Sequence, residues 1–188
     1  MPKLILVKHS LPAIDPAAPA AEWRLAPEGV RRCERLAELL APFRPAALVC
    51  SPEPKARATA AALAERWAQP YAVAEGLEEQ QRRGVRFGTD AEFRQALREL
   101  FARPAELVYG EETADAAEAR FAGALHAQIE RHAGRSLVAV AHGTVIALYV
   151  ARRAGLDGFA LWERLGLPSF IALDQESHAV EELMGEIV

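Results

Sequence analysis

With 188 residues, 51% of them hydrophobic and 26% charged, the chain has the balance of a globular protein and enough length for one substantial core, so a single domain spanning residues 1–188 is expected. A formal net charge of −4, with arginines scattered along helical stretches instead of clustered, gives no reason to expect a nucleic-acid or membrane partner. No stretch approaches the roughly 20 apolar residues that span a bilayer, the run at residues 4–7 is too short for a signal-peptide core, and Cys33 and Cys50 stand alone without CxxC spacing; a cytoplasmic protein with reduced thiols is the expectation.

Leu4–Val7, Ala46–Cys50 and Leu137–Ala141 are short apolar runs bounded by polar or turn residues, as in strands covered on both faces. The first leads into a Pro- and Ala-rich loop over residues 11–26. Pro27-Glu28-Gly29 then suits the first turn of a helix reaching about Ala41, with Val30, Cys33, Leu36, Leu39 and Leu40 on its inner face. After the second strand, Ser51 is a plausible N-cap for an Ala-rich helix that ends near Trp67, before Pro70. Tyr71–Ala74 reads as a third strand, and the polar, Arg-rich stretch 77–90 as a loop over the site. Helices are expected over Glu92–Ala102, Thr113–His132 and Thr144–Ala154, the last directly after the Leu137–Ala141 strand. Ser169–Asp174 and His178–Met184 close the chain as a hairpin around Gln175-Glu176-Ser177. Strands alternating with helices argue for a three-layer α/β/α sandwich with a mostly parallel central sheet.

Two histidines occupy equivalent places: His9 follows the first strand, and His142 follows the Leu137–Ala141 strand. In open α/β sheets, ligands bind beyond the carboxyl ends of the strands, which puts both imidazoles where a site should form. Either one alone reads as a partly buried side chain bonded to a backbone carbonyl. His126, His132 and His178 read as solvated.

Leu4-Ile5-Leu6-Val7-Lys8-His9-Ser10 resembles the opening motif of the histidine phosphatase (phosphoglycerate mutase-like) superfamily, a strand followed by Arg-His-Gly. The resemblance continues in order. Leu25-Ala26-Pro27-Glu28-Gly29 looks like Leu-Thr-Pro-Glu-Gly, and Cys50-Ser51-Pro52-Glu53-Pro54-Lys55-Ala56-Arg57-Ala58-Thr59-Ala60 is similar to Ser-Ser-Pro-Leu-x-Arg-Ala-x-x-Thr-Ala. Leu77-Glu78-Glu79 resembles the Leu-x-Glu that carries the acid. Val138 to Ile146, around His142-Gly143, matches the second-histidine motif, and Leu167-Pro168-Ser169 resembles Leu-Pro-Asn. The resemblance implies a metal- and cofactor-independent phosphatase acting on a small phosphorylated substrate, with His9 as nucleophile. His142 would donate to a phosphate oxygen, helped by the free N–H groups of the helix behind it. Glu79 would be the proton donor, with Glu78 as the fallback, and Lys8, Lys55, Ser10 and Gly143 would contact the phosphoryl group.

The departures carry equal weight. Lys8 and Lys55 stand where the family has Arg, so charge is kept while the planar bidentate fork is lost. Lysine occurs only at Lys3, Lys8 and Lys55, so an otherwise Arg-rich chain has put two of its three lysines at the two phosphate positions. Two ammonium groups in one pocket would repel, which predicts a lowered pKa for at least one and a loss of activity at high pH. Arg57 is discounted because on a helix it points about 200° away from Lys55. Arg82, Arg83 and Arg86 read first as a solvated charge run and second as a cationic rim. A second function class, a phospho-ligand binder that has lost turnover, is favoured by Lys-His-Ser. A third, a metal hydrolase using His9, His142 and Asp15, lacks any ligand pair at helical i, i+4 spacing. The sequence leaves the substrate unidentified and a homodimer open.

Overall fold

The computed structural model describes every residue except Pro45 and Phe87. Its strands are β1 (Lys3–Lys8), β2 (Ala46–Cys50), β3 (Ala72–Val73), β4 (Ser136–Ala141), β5 (Ser169–Asp174) and β6 (Val180–Met184). Its helices are α1 (Pro27–Leu39), α2 (Pro54–Trp67), α3 (Asp90–Ala102), α4 (Ala114–Arg131), α5 (Gly143–Ala154) and α6 (Gly158–Arg164). The strands form one sheet in the order β3-β2-β4-β1-β5-β6. The first four of these are mutually parallel, and β5 runs antiparallel to both β1 and β6.

Side-chain alternation along the strands builds a core on each face. Leu4, Leu6, Leu137, Ala139, Ile171 and Leu173 pack with Phe121, Tyr149 and other residues of α3 to α6. Ile5, Val7, Val138, Val140, Phe170 and Ala172 pack with Leu36 of α1, Leu40 just after it, and Leu63 and Trp67 of α2. The result is the expected three-layer α/β/α sandwich with a mostly parallel sheet. Parallel registers pair Lys8 with Ala141 and Cys50 with Val140, so β1, β2 and β4 end together. His9, Ser51 and His142, the residues that follow those strands, share one edge.

Several elements differ from the sequence reading. Val30 is 53% exposed and Ala37 is buried, because the inner face of α1 runs through Gly29, Cys33, Leu36 and Ala37 and Val30 is turned about 100° from Gly29. The helix stops at Leu39, and Pro42 follows in a short 3₁₀ turn over Ala41–Phe43. Glu53, not Ser51, is the N-cap of α2. β3 shrinks to two exposed residues at the sheet edge. β6 begins at Val180 because His178 adopts φ 57°, with the Asp174 carboxylate accepting from Glu176 N, Ser177 N and Ser177 Oγ. α6, capped by Asp157, was not anticipated; seven residues give too little periodicity to read. Ala26 caps α1 without a side-chain bond. At Gly29 an added Cβ would lie 2.1 Å from Leu11 O, so the close approach of the 11–26 loop to α1 requires glycine. Among the described residues, no helix is long and apolar enough to cross a membrane.

Candidate active site

The His9 and His142 rings meet edge to face, with centroids 5.2 Å apart and planes at 60°. His9 N donates to Ala141 O at 3.0 Å, tying the two strand ends together. His9 Nδ1 lies 2.8 Å from Ser10 O. A carbonyl can only accept, so Nδ1 carries the hydrogen, and in the neutral ring Nε2 keeps its lone pair. Burial first, and then the charges of His142, Lys55 and Lys8, hold the His9 pKa well below its ordinary value, outweighing the bond to Ser10. His9 lines a cleft of about 1480 Å³. His142 sits directly behind it and is wholly buried. Its Nε2 is 2.8 Å from Ser51 Oγ, while its Nδ1 is buried without a hydrogen-bond partner among the described residues. Burial, then Lys55, also keeps this ring's pKa low, against the opposing pull of Glu79.

The cleft runs between the proline-rich loop (Pro12, Ile14, Trp23) and the segment that holds Arg82, Arg86 and Phe93. Lys8 and Lys55 both line it. Lys8 Nζ donates to Leu165 O at 2.6 Å, and its stem lies over the start of α5, where a Cβ on Gly143 would stand 3.1 Å from Lys8 Cε. Gly143 therefore makes room for the lysine. Lys55 Nζ donates to Glu53 Oε2 at 2.6 Å and to Ala20 O at 2.5 Å. Ser10 turns away from the cleft: its Oγ donates to Gly29 O at 2.7 Å, and its N–H is taken by Thr59 Oγ1.

Glu79 is buried beside this centre. Its carboxylate accepts from Thr144 N at 3.2 Å, Val145 N at 3.3 Å and Arg82 Nη2 at 3.2 Å. Two of the free N–H groups of α5 that were expected to face the phosphate, those of Thr144 and Val145, are thus occupied by Glu79. Burial pushes this carboxyl up, but Arg82, His142 and the backbone N–H bonds outweigh it and lower the pKa to about 2. Glu78 faces Arg120, 3.6 Å away. Arg120 also donates to the carbonyls of Gly76, Glu78 and Glu79, so it clamps the loop that carries both acids. Arg82 stacks its guanidinium 5.1 Å from the Phe93 ring and is 15% exposed. For this residue the solvated reading is overturned, whereas Arg83 and Arg86 are exposed at the cleft mouth. Asp15 is exposed, its carboxylate accepting from Ala17 N. The described residues contain no group of three or more His, Cys, Asp or Glu placed to hold a metal.

The sequence pattern of the histidine phosphatase superfamily (branch 1) matches residues 16–179. The chain belongs to the histidine phosphatase superfamily. The match begins past His9, so the altered Lys-His-Ser opening lies outside it. No curated protein matches in sequence. Solved structures of three phosphatases are among those that share the fold. A phosphoserine phosphatase from Entamoeba histolytica superposes with a TM-score of 0.79 at 16% identity, over 99% of this chain and 98% of that one. A mycobacterial glucosyl-3-phosphoglycerate phosphatase gives 0.77 at 20% identity, over 98% of both chains. An α-ribazole phosphatase from Shigella flexneri gives 0.71 at 17% identity, over 98% and 96%.

As a histidine phosphatase superfamily member, the chain has one residue in its site to which the sequence reading gave no role. Glu53 is 7% exposed and lines the cleft. Besides Lys55, it receives Glu79 N on Oε1 at 2.9 Å, and that oxygen lies 3.6 Å from His142 Nε2. The available signal was a carboxylate where the similar motif has Leu, two residues before Lys55.

Lys8 supplies a pH test. Burial first, then Arg82, lowers its pKa from 10.5 to about 8 against the pull of Glu79 and Glu186; the lowering comes from these and not from the expected repulsion by Lys55. Its ammonium is charged below about pH 8 and neutral above, so kcat/KM for a phosphate ester should fall above about pH 8. In Lys8→Arg that decline should vanish, since guanidinium stays charged beyond pH 12. Stability runs the other way: between about 8 and 10.5 the unfolded chain binds more protons at this group, so folding stability rises with pH. Superimposable alkaline limbs for the two proteins would eliminate Lys8 as the titrating group.

Proposed function

We propose that this protein hydrolyses a small phosphomonoester through a phosphohistidine on His9, without metal or cofactor. The observation that carries this reading is the state of His9, whose Nδ1–H is committed to Ser10 O while Nε2 holds a lone pair in a cleft that Lys8 and Lys55 also line. Nε2 attacks phosphorus, and the P–O ester bond breaks with its electron pair passing to the leaving oxygen, which takes a proton. Water then attacks phosphorus and loses a proton, the N–P bond breaks with its pair returning to Nε2, and phosphate departs. Lys8, Lys55 and Arg82 provide the positive charge that phosphoryl transfer needs. Glu79 is the proton carrier for both half-reactions. The similar folds of phosphatases named for phosphoserine, glucosyl-3-phosphoglycerate and α-ribazole support a phosphorylated small molecule as substrate. The free, buried thiols of Cys33 and Cys50 suit a cytoplasmic location.

A second reading, a phospho-ligand binder with weak or absent turnover, is favoured by one observation. The Lys8 and Lys55 ammonium groups and the Thr144 and Val145 N–H groups of α5 already serve protein acceptors. Rapid acid-free quenching of the enzyme during turnover of a phosphate-ester panel, followed by peptide mass spectrometry, separates the two. A phosphoryl group on the His9 peptide, stable to base and labile to acid, is the expected result. If no ester is turned over while phosphate still raises the melting temperature, the binder reading holds and the phosphatase reading falls.

A further inference from the structure

The chemistry above leaves a buried carboxylate unexplained at the floor of an anion-binding cleft. Glu53 Oε2 is 2.6 Å from Lys55 Nζ, and its other oxygen takes Glu79 N, so the side chain is fixed at both ends. Lys55 has three N–H donors. One serves Glu53 and one serves Ala20 O; among the described residues the third has no acceptor and is open to a ligand. A phosphate oxygen on that donor would lie about 2.8 Å from the nitrogen. The two anions would then be at most about 5.4 Å apart, the sum of that distance and the 2.6 Å to Glu53. Repulsion at that range in a partly buried site is substantial.

We propose that Glu53 is a built-in counter-charge that competes with phosphate for Lys55 and so keeps the product from being held too tightly. It is a positioning and turnover-setting residue that acts on the reaction through Lys55. The inference rests on the reading of this cleft as a phosphate site. Cations placed to hold the reacting phosphoryl group bind the departing anion as well, and uniform tightening of that kind does not raise turnover. The carboxylate offsets the charge of Lys55 while holding its ammonium in place and anchoring the main chain of Glu79.

The test is the affinity of inorganic phosphate, by calorimetry and by product inhibition, for the wild type, Glu53→Gln, Lys55→Met and the double variant. Glutamine removes the charge and keeps one acceptor, for Glu79 N, while its NH2 group replaces the oxygen that accepts from Lys55. Glu53→Gln should bind phosphate at least about fivefold more tightly, the scale of one charge interaction in a half-buried site, with kcat lowered as product release slows. The gain should disappear when Lys55→Met is the background. A merely structural role predicts weaker or unchanged phosphate binding, and that result would overturn the proposal. Glu53→Leu, which carries the residue of the similar motif, gives the same comparison if the glutamine protein does not fold. A wild type that binds no phosphate refutes the reading of the cleft along with this inference; one that binds it, with no tightening in the variants, refutes this inference alone.

Discussion

Replacing His9 with alanine is expected to lower turnover of every phosphate ester by roughly 10⁴-fold or more, the scale on which removal of a covalent nucleophile acts, and to abolish the phosphoryl label. Nothing nearby can substitute. His142 is wholly buried behind the cleft, and its Nε2 is engaged with Ser51. Burial raises the pKa of the Cys50 thiol to about 12, which removes it as a thiolate. The fold should survive, because His9 borders the open cleft and its backbone bond to Ala141 O is independent of the side chain. Phosphate should still bind, since Lys8 and Lys55 are anchored to Leu165, Glu53 and Ala20 and not to the imidazole. The measurement is steady-state phosphate release at high enzyme concentration, with a melting curve with and without phosphate as the folding control. Residual activity above a few per cent of wild type, in a protein that melts normally, would rule out His9 as the nucleophile.

The sheet was legible because burial on both faces leaves continuous apolar runs at residues 4–7, 46–50 and 137–141, and each run became a central strand. Two polar residues of one type at the ends of such runs then placed His9 and His142 on one edge. Their 5.2 Å approach depends further on β1 and β4 being neighbours, which no local pattern specifies. Loops carry no period, so the contacts there were illegible. What distinguishes Glu79 from Glu78 is that Glu53 Oε1 accepts from Glu79 N and that the Glu79 carboxylate accepts from the Thr144 and Val145 N–H groups of α5. Each of these is a long-range pairing. Arg82 looked like its neighbours Arg83 and Arg86 in sequence and is distinguished only by a partner, Glu79, and a ring, Phe93, that the fold brings to it. Ser10 misled for the opposite reason: the resemblance placed it in the phosphate-binding motif, yet its hydroxyl is fully buried and meets its need for a partner on Gly29 O, where the 11–26 loop crosses α1.

Glu79→Gln should separate the two half-reactions by leaving group. In the empty site the carboxyl has a pKa near 2 and is ionised, so it has no proton to give. A bound phosphoryl dianion opposes the attraction of Arg82 and raises that value. The proton can also arrive with the substrate, whose second phosphate pKa is about 6. For an alkyl phosphate, whose alkoxide cannot leave unprotonated, the glutamine variant should lose roughly 10²- to 10⁴-fold in kcat. For p-nitrophenyl phosphate, whose phenolate leaves without help, phosphorylation of His9 should be nearly unimpaired. Dephosphorylation should still be slow, because the attacking water has lost its base. The signature is a burst of nitrophenol close to one equivalent of enzyme, followed by a slow phase, with phospho-His9 accumulating. Glu78→Gln should behave as wild type in both assays, since that carboxylate faces Arg120. Equal losses for both esters without a burst would show that Glu79 acts by holding Arg82 and the start of α5, and would remove it as the proton carrier.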